Sequence, residues 1–214
     1  MLRSEACLQY NLGAEYEYGG RFYKAELYYK KYDHLALLET GEAGTSALLT
    51  SNGYGNSKGI DIYFHDRELL KNFEYRLSYT YNLSKRKYQE YPELTTPQYA
   101  TRHNASLVLK YALPRLQTII GLTDRFSSGR PFHNPDLPGW MNDEVKPYNS
   151  LDLGLTFLPS KKVIIHASVT NILCRKNEFG KVNQKIIQAS SDHFFYIGVY
   201  LTLGKNAAYD VSSF

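Results

Sequence analysis

The segment FEYRLSYTYNLS, residues 73–84, alternates apolar and polar side chains without interruption. A period of two predicts a β-strand with one apolar face and one polar face, because successive side chains point to opposite sides. The segment is about twice as long as a typical strand of a soluble domain. Its apolar face carries aromatic residues near both ends and leucine between them. This arrangement is typical of a strand that crosses an apolar layer with two polar boundaries.

The same alternation recurs along the chain and predicts about nine long strands. These strands are expected at residues 8–18, 23–30, 59–66, 73–84, 103–113, 117–126, 149–158, 163–173 and 193–203. No helical period of useful length competes with them. Parallel strands would need crossovers of a dozen or more residues, so the order is expected to be antiparallel. The predicted fold class is therefore all-β.

The connections between these strands alternate between short and long. The short ones are residues 19–20, 68–72, 114–115 and 159–162, and the long ones are residues 40–58, 88–102, 127–147 and 175–192. Outer-membrane barrels place short turns at the periplasmic end and long loops at the outer end. The pattern therefore favours an antiparallel transmembrane β-barrel segment.

The aromatic residues support a membrane environment, because they gather at the ends of the apolar faces. The predicted membrane girdle comprises Tyr16, Tyr18, Tyr23, Phe73, Tyr75, Tyr79, Tyr81, Tyr111 and Phe157. A tilted strand needs about 9–11 residues to cross the hydrocarbon layer, which fits the predicted lengths. The opposite faces are expected to line a wet lumen through Glu15, Glu17, Lys24, Glu26, Asp61, Arg76, Lys110 and Asp152.

A soluble β-sandwich or a lipocalin-like barrel is the alternative interpretation of the same alternation. In such a protein the apolar face would point into a private core, and the charged face would meet bulk solvent. Strand length, the asymmetry of the connections and the aromatic positions favour the membrane.

Composition narrows the function classes. The net charge of +4 is mild and the 25 basic residues are scattered, whereas a nucleic-acid site needs a clustered basic face. No run approaches the ~18 apolar residues of a membrane helix, and the start MLRSEACLQY shows no apolar segment of a signal peptide. Cys7 and Cys174 are either two free thiols or a disulfide.

Several segments, in order, resemble the C-terminal half of a TonB-dependent receptor, a gated outer-membrane transporter. They are GYGNSKGIDIYF (53–64), RHNASLVLKY (102–111), FSSGRPF (126–132), YNSLDLGLTF (148–157), VTNIL (169–173) and FFYIGVYLTL (194–203). The resemblance covers nearly the whole chain. It implies a barrel of about twenty-two strands with a plug inside, of which residues 1–203 supply the last nine as an open arc. Nine is an odd number and single-chain bacterial barrels use even numbers, which also predicts further strands.

The resemblance implies partners and a location. The expected partners are membrane lipid, an N-terminal plug and further barrel strands, the TonB energising complex and the outer-membrane barrel assembly machinery, with no nucleic acid. The expected location is the outer membrane of a Gram-negative bacterium. The expected role is active uptake of a scarce nutrient such as a siderophore or a glycan, without enzymatic activity or a cofactor. Residues 204–214 form a tail that departs from the alternating pattern.

Candidate ligand contacts lie on the predicted long loops, at the outer mouth. Arg130 is suited to hold a carboxylate or another oxyanion, and Trp140, Tyr54 and Tyr91 are suited to stack on sugars or flat chelates. The histidines, including His133, show no metal-ligand spacing, so no metal site is predicted.

Two rival functions remain open at this stage. In the first, the chain is a truncated remnant without transport activity. In the second, it is a smaller outer-membrane barrel that acts as an enzyme or an adhesin. An enzyme would need a Ser/His pair held by a third group. His166 and Ser168 share one strand face but lie too far apart along it for a direct hydrogen bond.

Overall fold

The computed structural model describes residues 2–39, 48–182, 185–188 and 192–203. Over these residues thirteen strands and one short 3₁₀ turn, Pro114–Leu116, account for the regular structure. The strands are β1 (Ala6–Tyr18), β2 (Arg21–Glu39), β3 (Leu48–Asp66), β4 (Phe73–Lys87), β5 (His103–Leu113), β6 (Thr118–Ser127), β7 (Pro131–Phe132), β8 (Asp143–Glu144), β9 (Tyr148–Ser160), β10 (Val163–Thr170), β11 (Glu178–Val182), β12 (Lys185–Gln188) and β13 (Phe194–Leu201).

In the described part of the chain, nine of these strands form one antiparallel sheet in the order β1-β2-β3-β4-β5-β6-β9-β10-β13. The remaining four form two small hairpins, β7–β8 and β11–β12, within the long connections. The sequence prediction of an all-β fold with about nine long strands is confirmed. The two small hairpins were not predicted, because strands of two to five residues show no readable period.

Consecutive long strands are neighbours in the sheet, so the connections sort to its two ends. The tight turn at Gly19–Gly20 and the segment 67–72 lie at one end, which is called the turn end below. Gly19 adopts a φ of 60°, a conformation that suits glycine. The connections that follow β4, β6 and β10 lie at the opposite end, which is called the loop end.

The prediction of a loop at residues 40–58 is wrong for residues 48–58, which belong to β3. Within β3, Gly59 serves close packing in the sheet. A Cβ at position 59 would lie 2.5 Å from the Tyr28 hydroxyl oxygen, so the tyrosine ring can cover the strand only at a glycine. The predicted strand 163–173 also ends early, at Thr170, because Asn171 turns the chain with a φ of 51°.

The apolar face of the sheet has no second layer over it among the described residues. Leu27, Ile60 and Leu155 lie on interior strands, yet their side chains remain 49%, 37% and 41% exposed. Ile119 and Leu158 form one small buried apolar cluster on the other face. The soluble sandwich or lipocalin-like alternative requires this apolar face to be buried, so the structure contradicts it. No helix in the described part of the chain has the length and hydropathy to span a bilayer.

Candidate functional site

The register of the sheet separates the two sets of residues that the sequence analysis distinguished. All eight predicted lumen residues lie on one face, which is called the polar face below. All nine predicted girdle residues lie on the opposite, apolar face. The pairing fixes this separation, because cross-strand partners in an antiparallel sheet share a face.

Ion pairs mark both ends of the apolar face on β2. Arg21 lies 3.3 Å from Asp66 at the turn end, and Lys31 lies 3.0 Å from Asp33 toward the loop end. The apolar-face residues of β2 between them are Tyr23, Ala25, Leu27 and Tyr29. The ten residue-to-residue steps from Arg21 to Lys31 span about 33 Å along a strand. At the tilt of a barrel strand this leaves an apolar band about 25 Å high, as in outer-membrane barrels.

The polar face near the turn end holds a buried carboxylate surrounded by cations, which we call the Glu74 cluster. The Glu74 side chain is only 9% exposed, and its Oε1 lies 2.6 Å from Arg76 Nη2 and 2.9 Å from His65 Nε2. Its Oε2 lies 3.6 Å from both Lys110 Nζ and Arg67 Nε. One acid therefore holds three permanent cations, from β4, from β5 and from the connection after β3, and the cluster keeps a positive surplus.

The neighbouring part of the polar face, on β1–β3, carries the opposite charge. Lys24 Nζ lies 2.9 Å from Glu15 Oε1 and 3.5 Å from Glu26 Oε2. Asp61 accepts a hydrogen bond of 2.6 Å from the Thr80 hydroxyl. Glu17 lies on the same face as Glu15, two residues closer to the turn end. Four carboxylates thus share this part of the polar face with two lysines, Lys24 and Lys30.

Asp152 organises the loop end of the polar face. It pairs with the Arg125 guanidinium and accepts hydrogen bonds from the Ser150 hydroxyl at 2.7 Å and the Asn171 backbone N–H at 2.8 Å. Because Asn171 starts the turn after β10, this carboxylate fixes where the chain leaves the sheet. Of the predicted lumen residues, Asp152 is the one with a clear positioning role for a connection.

Aromatic side chains join two connections at the loop end, and we call Tyr88, Tyr91, His133 and Trp140 the loop-end aromatic cluster. Tyr91 lies 4.9 Å from Tyr88 and 6.0 Å from Trp140 between ring centroids, and His133 stacks on Trp140 at 4.2 Å. Tyr91 is 8% exposed, and its hydroxyl accepts a 3.0 Å hydrogen bond from the Gln98 backbone N–H. Burial, reinforced by the adjacent Tyr91, raises the pKa of the Tyr88 phenol. These rings fasten the connection after β4 to the connection after β6.

The structure brings together only part of the predicted ligand set. Tyr91 and Trp140 are in contact, and the Glu93 carboxylate accepts a 2.8 Å hydrogen bond from the Trp140 backbone N–H. Arg130 lies apart from them, with its guanidinium 5.8 Å from the centre of the Phe179 ring. Tyr54 was expected on a long loop, but it lies within β3 opposite Lys87 and is 48% exposed.

Sequence reasoning missed the centre of the Glu74 cluster. Glu74 and His65 occupy polar-face positions that the alternation does identify, but their mutual contact depends on the register of two strands. Arg67 belongs to the segment after β3 and reaches the cluster from outside the sheet. No signal in the sequence pairs these residues.

Several of the histidines and cysteines in the described residues contact neighbouring side chains, as Cys174 Sγ lies 3.4 Å from His193 Nδ1. His166 Nδ1 lies 2.9 Å from the Thr156 hydroxyl rather than contacting Ser168. No group of three or more His, Cys, Asp or Glu in the described part of the chain is placed to hold a metal ion. Cys7 and Cys174 are both exposed free thiols, which settles the open question of a disulfide.

An antiparallel sheet with an exposed apolar band, a charged opposite face and connections sorted by length to its two ends is typical of the wall of a transmembrane β-barrel. The sequence model of the family described as TonB dependent receptor-like, beta-barrel, matches residues 2–172. The chain belongs to this family of outer-membrane receptors. A comparison with curated protein sequences found no significant match.

Solved structures share the fold at low sequence identity. The ferric yersiniabactin uptake receptor FyuA from Yersinia pestis is 17% identical with a TM-score of 0.66, and the alignment covers 91% of this chain and 28% of that receptor. The FrpB iron transporter from Neisseria meningitidis is 11% identical with a TM-score of 0.72, covering 92% of this chain and 31% of that chain. The ferric-catecholate import receptor Fiu from E. coli K12 is 12% identical with a TM-score of 0.71, covering 93% and 28%. The chain thus spans about a third of the length of these proteins.

The family and these structures are outer-membrane receptors and transporters of Gram-negative bacteria, and not enzymes. The expectation that the chain is not an enzyme is confirmed on this basis, and the resemblance found in the sequence is confirmed as membership of the family. The family takes its description from receptors that depend on TonB.

Proposed function

We propose that this chain forms part of the barrel wall of a receptor for the TonB-dependent uptake of a scarce nutrient, with a siderophore-type metal chelate as the substrate class. The observation that carries the proposal is the division of one sheet into an exposed apolar face and a charged polar face, in a chain of this family. The iron receptors among the similar structures favour a chelate over the alternative substrate, a glycan.

Further strands complete the barrel in this proposal. In the described part of the chain, β1 pairs only with β2, and β13 pairs only with β10. Each strand therefore has a free edge, and an unpaired backbone group in lipid costs several kcal/mol. Closure to about twenty-two strands satisfies both edges. Residues 1–203 are the wall in this account, while the predicted tail, residues 204–214, lies outside the described residues.

A plug fills the lumen against the polar face. The positive surplus of the Glu74 cluster and the negative surplus of Glu15, Glu17, Glu26 and Asp61 support this, because a wall with two charged regions suits a folded partner. The TonB complex supplies the energy through the plug. The outer-membrane assembly machinery inserts the barrel.

Substrate binds at the loop end. Arg130 is the proposed anion contact, since its guanidinium is not among the ion pairs formed by the described residues. Trp140 and Tyr91 contribute through the loop-end aromatic cluster, which holds two connections in place. Tyr54 remains a proposed contact, approached from β3.

Uptake of labelled iron tests this function. Cells that lack the gene encoding this chain are grown under iron limitation and supplied with single ferric siderophores, with and without a working TonB. We expect at least one chelate whose uptake needs both the gene and TonB, and an Arg130→Ala receptor should take it up more slowly. Lys161→Ala at the turn end is the matched control. Uptake that is indifferent to the gene for every chelate and glycan supplied would support the non-functional remnant.

A further inference from the structure

A pocket of about 490 Å³ lies at the loop end of the sheet, beside the part of β4 that extends past the start of β5. β4 continues to Lys87, whereas β5 begins at His103, which pairs with Tyr81. The last residues of β4, at the loop end, therefore have no partner in β5. The connections after β4 and β6 cover this part of β4. The lining residues include Asn56, Lys58, Leu83, Lys85, Arg102 and Glu144.

The pocket lining takes residues from both faces of β4, and its lysines lie on the apolar face, whereas Asn82 and Ser84 occupy polar-face positions. Lys58 pairs with Leu83, and Asn56 pairs with Lys85, so all four share one face of the sheet. The next apolar-face positions toward the turn end are Ile60 and Tyr81, which also pair with each other. Lys58 and Lys85 thus lie next to the apolar band on its loop-end side, on the face opposite to the Glu74 cluster.

Three cations converge on this pocket without acidic partners. Lys58, Lys85 and Arg102 are exposed and make no ion pair with any described residue. Other lysines of the sheet behave differently, since Lys24 pairs with Glu15 and Lys31 with Asp33. Glu144 is the one acidic residue in the described lining, and it stays beyond ion-pair distance of the three. The pocket keeps a net positive charge.

Cations above an apolar surface match an amphiphile with an anionic head. We propose that this pocket binds the phosphate of an acidic lipid head group at the outer boundary of the bilayer. Lysine and arginine bind phosphate through charge and N–H donors, and basic pockets at membrane boundaries attract anionic head groups. Leu83, Ile60 and Tyr81 provide the apolar surface along which the acyl chains continue. The proposal rests on the outward orientation of the apolar face, but it does not depend on which nutrient is transported.

The test uses the assembled receptor that contains this chain, reconstituted in phosphatidylcholine vesicles. Spin-labelled phosphatidic acid and spin-labelled phosphatidylcholine are added in separate samples, and electron paramagnetic resonance measures the immobilised fraction of each. The wild-type receptor should prefer phosphatidic acid. The variant Lys58→Gln/Lys85→Gln/Arg102→Gln should reduce that preference by about tenfold, since each cation near a charged head group contributes measurably.

Two variants separate the pocket from general charge and folding effects. Lys71→Gln/Lys161→Gln/Lys162→Gln removes the same charge at the turn end and should keep the preference. Lys58→Arg/Lys85→Arg keeps the charge in the pocket and should keep it as well. Heat-modifiable mobility in detergent confirms that each variant is folded.

The competing source of phosphate is tested with inorganic phosphate in detergent. If the pocket variant and the wild-type receptor show the same lipid preference, the proposal is wrong. If inorganic phosphate protects the pocket lysines from acylation while neither lipid is preferred, the pocket is a phosphate site and the lipid proposal is also wrong. TonB-dependent nutrient uptake by the wild-type receptor is measured in parallel. A wild-type receptor that prefers phosphatidic acid but takes up no nutrient would overturn the proposed function alone.

Discussion

The two faces of the sheet are stabilised in different ways, although their residues alternate along the same strands. Between the ion pairs at its two ends, the apolar face is held mainly by ring and aliphatic contacts, such as the rings of Tyr16 and Tyr23 at 6.0 Å and those of Tyr23 and Phe64 at 5.5 Å. Many of these side chains remain exposed. On the polar face many charges have a specific partner, as Glu74 has Arg76. The stability of the apolar face therefore depends on the solvent around it, whereas the stability of the polar face depends on contacts between its own side chains.

The largest effect is expected from a charge on the apolar face. Leu77→Arg places a cation between Phe64 and Leu107, in the middle of the band. We expect it to lower the free energy of unfolding of the receptor in vesicles by about 2–4 kcal/mol. Ser78→Arg, one residue further on the polar face, should cost much less. Equal losses for both variants would contradict the assignment of the faces.

A smaller effect is expected from the Glu74 cluster. Glu74→Gln keeps the shape of the side chain but removes the charge that holds Arg76, Lys110 and Arg67 together. We expect a loss of about 1–3 kcal/mol in the free energy of unfolding, measured by denaturant titration.

Glu15→Gln is the matched control for this variant. Glu15 is more than half exposed and contacts only Lys24 among the described ion pairs, so its neutralisation should change little. If Glu15→Gln destabilised the receptor as much as Glu74→Gln, the burial of Glu74 would not explain the loss of stability in the Glu74→Gln variant.

The smallest effect on the wall is expected from the loop-end aromatic cluster. Trp140→Ala removes the ring contacts with Tyr91 and His133. Such contacts are worth about 0.5–1.5 kcal/mol, so amide exchange in residues 88–102 should rise about two- to tenfold. Exchange in β4 and β5 should not change. Tyr54→Ala, which alters an exposed ring in β3, should leave the exchange of residues 88–102 unaffected.

The sequence was sufficient for the fold because alternation encodes which face each residue occupies. Residues 73–84 identified β4, and residues 103–113 matched β5 at both ends. The contacts on each face were not accessible in the same way. Glu74 lies on β4 and Lys110 on β5, so their contact depends on how the two strands pair. The sequence of either strand alone does not show this pairing.

The loop end shows the same limit more strongly. Tyr91 and Trp140 were both proposed as candidate residues, yet nothing in the sequence indicates that connections so far apart pack ring against ring. Tyr54 was assigned to the long connection at residues 40–58. It lies in β3 instead, between Gly53 and Gly55, where the adjacent strands leave no room for a Cβ.

The central claim is that the apolar face meets lipid while the polar face lines a wet lumen. It is tested most directly by a nitroxide scan of residues 73–84 in the assembled receptor, with Cys7 and Cys174 replaced by serine, in vesicles. Collisions with oxygen report lipid exposure, and collisions with a water-soluble nickel chelate report water. We predict that oxygen access alternates with a period of two and peaks at Leu77 and Tyr79, while nickel access never peaks there. Odd positions that are shielded from both reagents would mean that the apolar face is buried in a protein core, which would contradict the account.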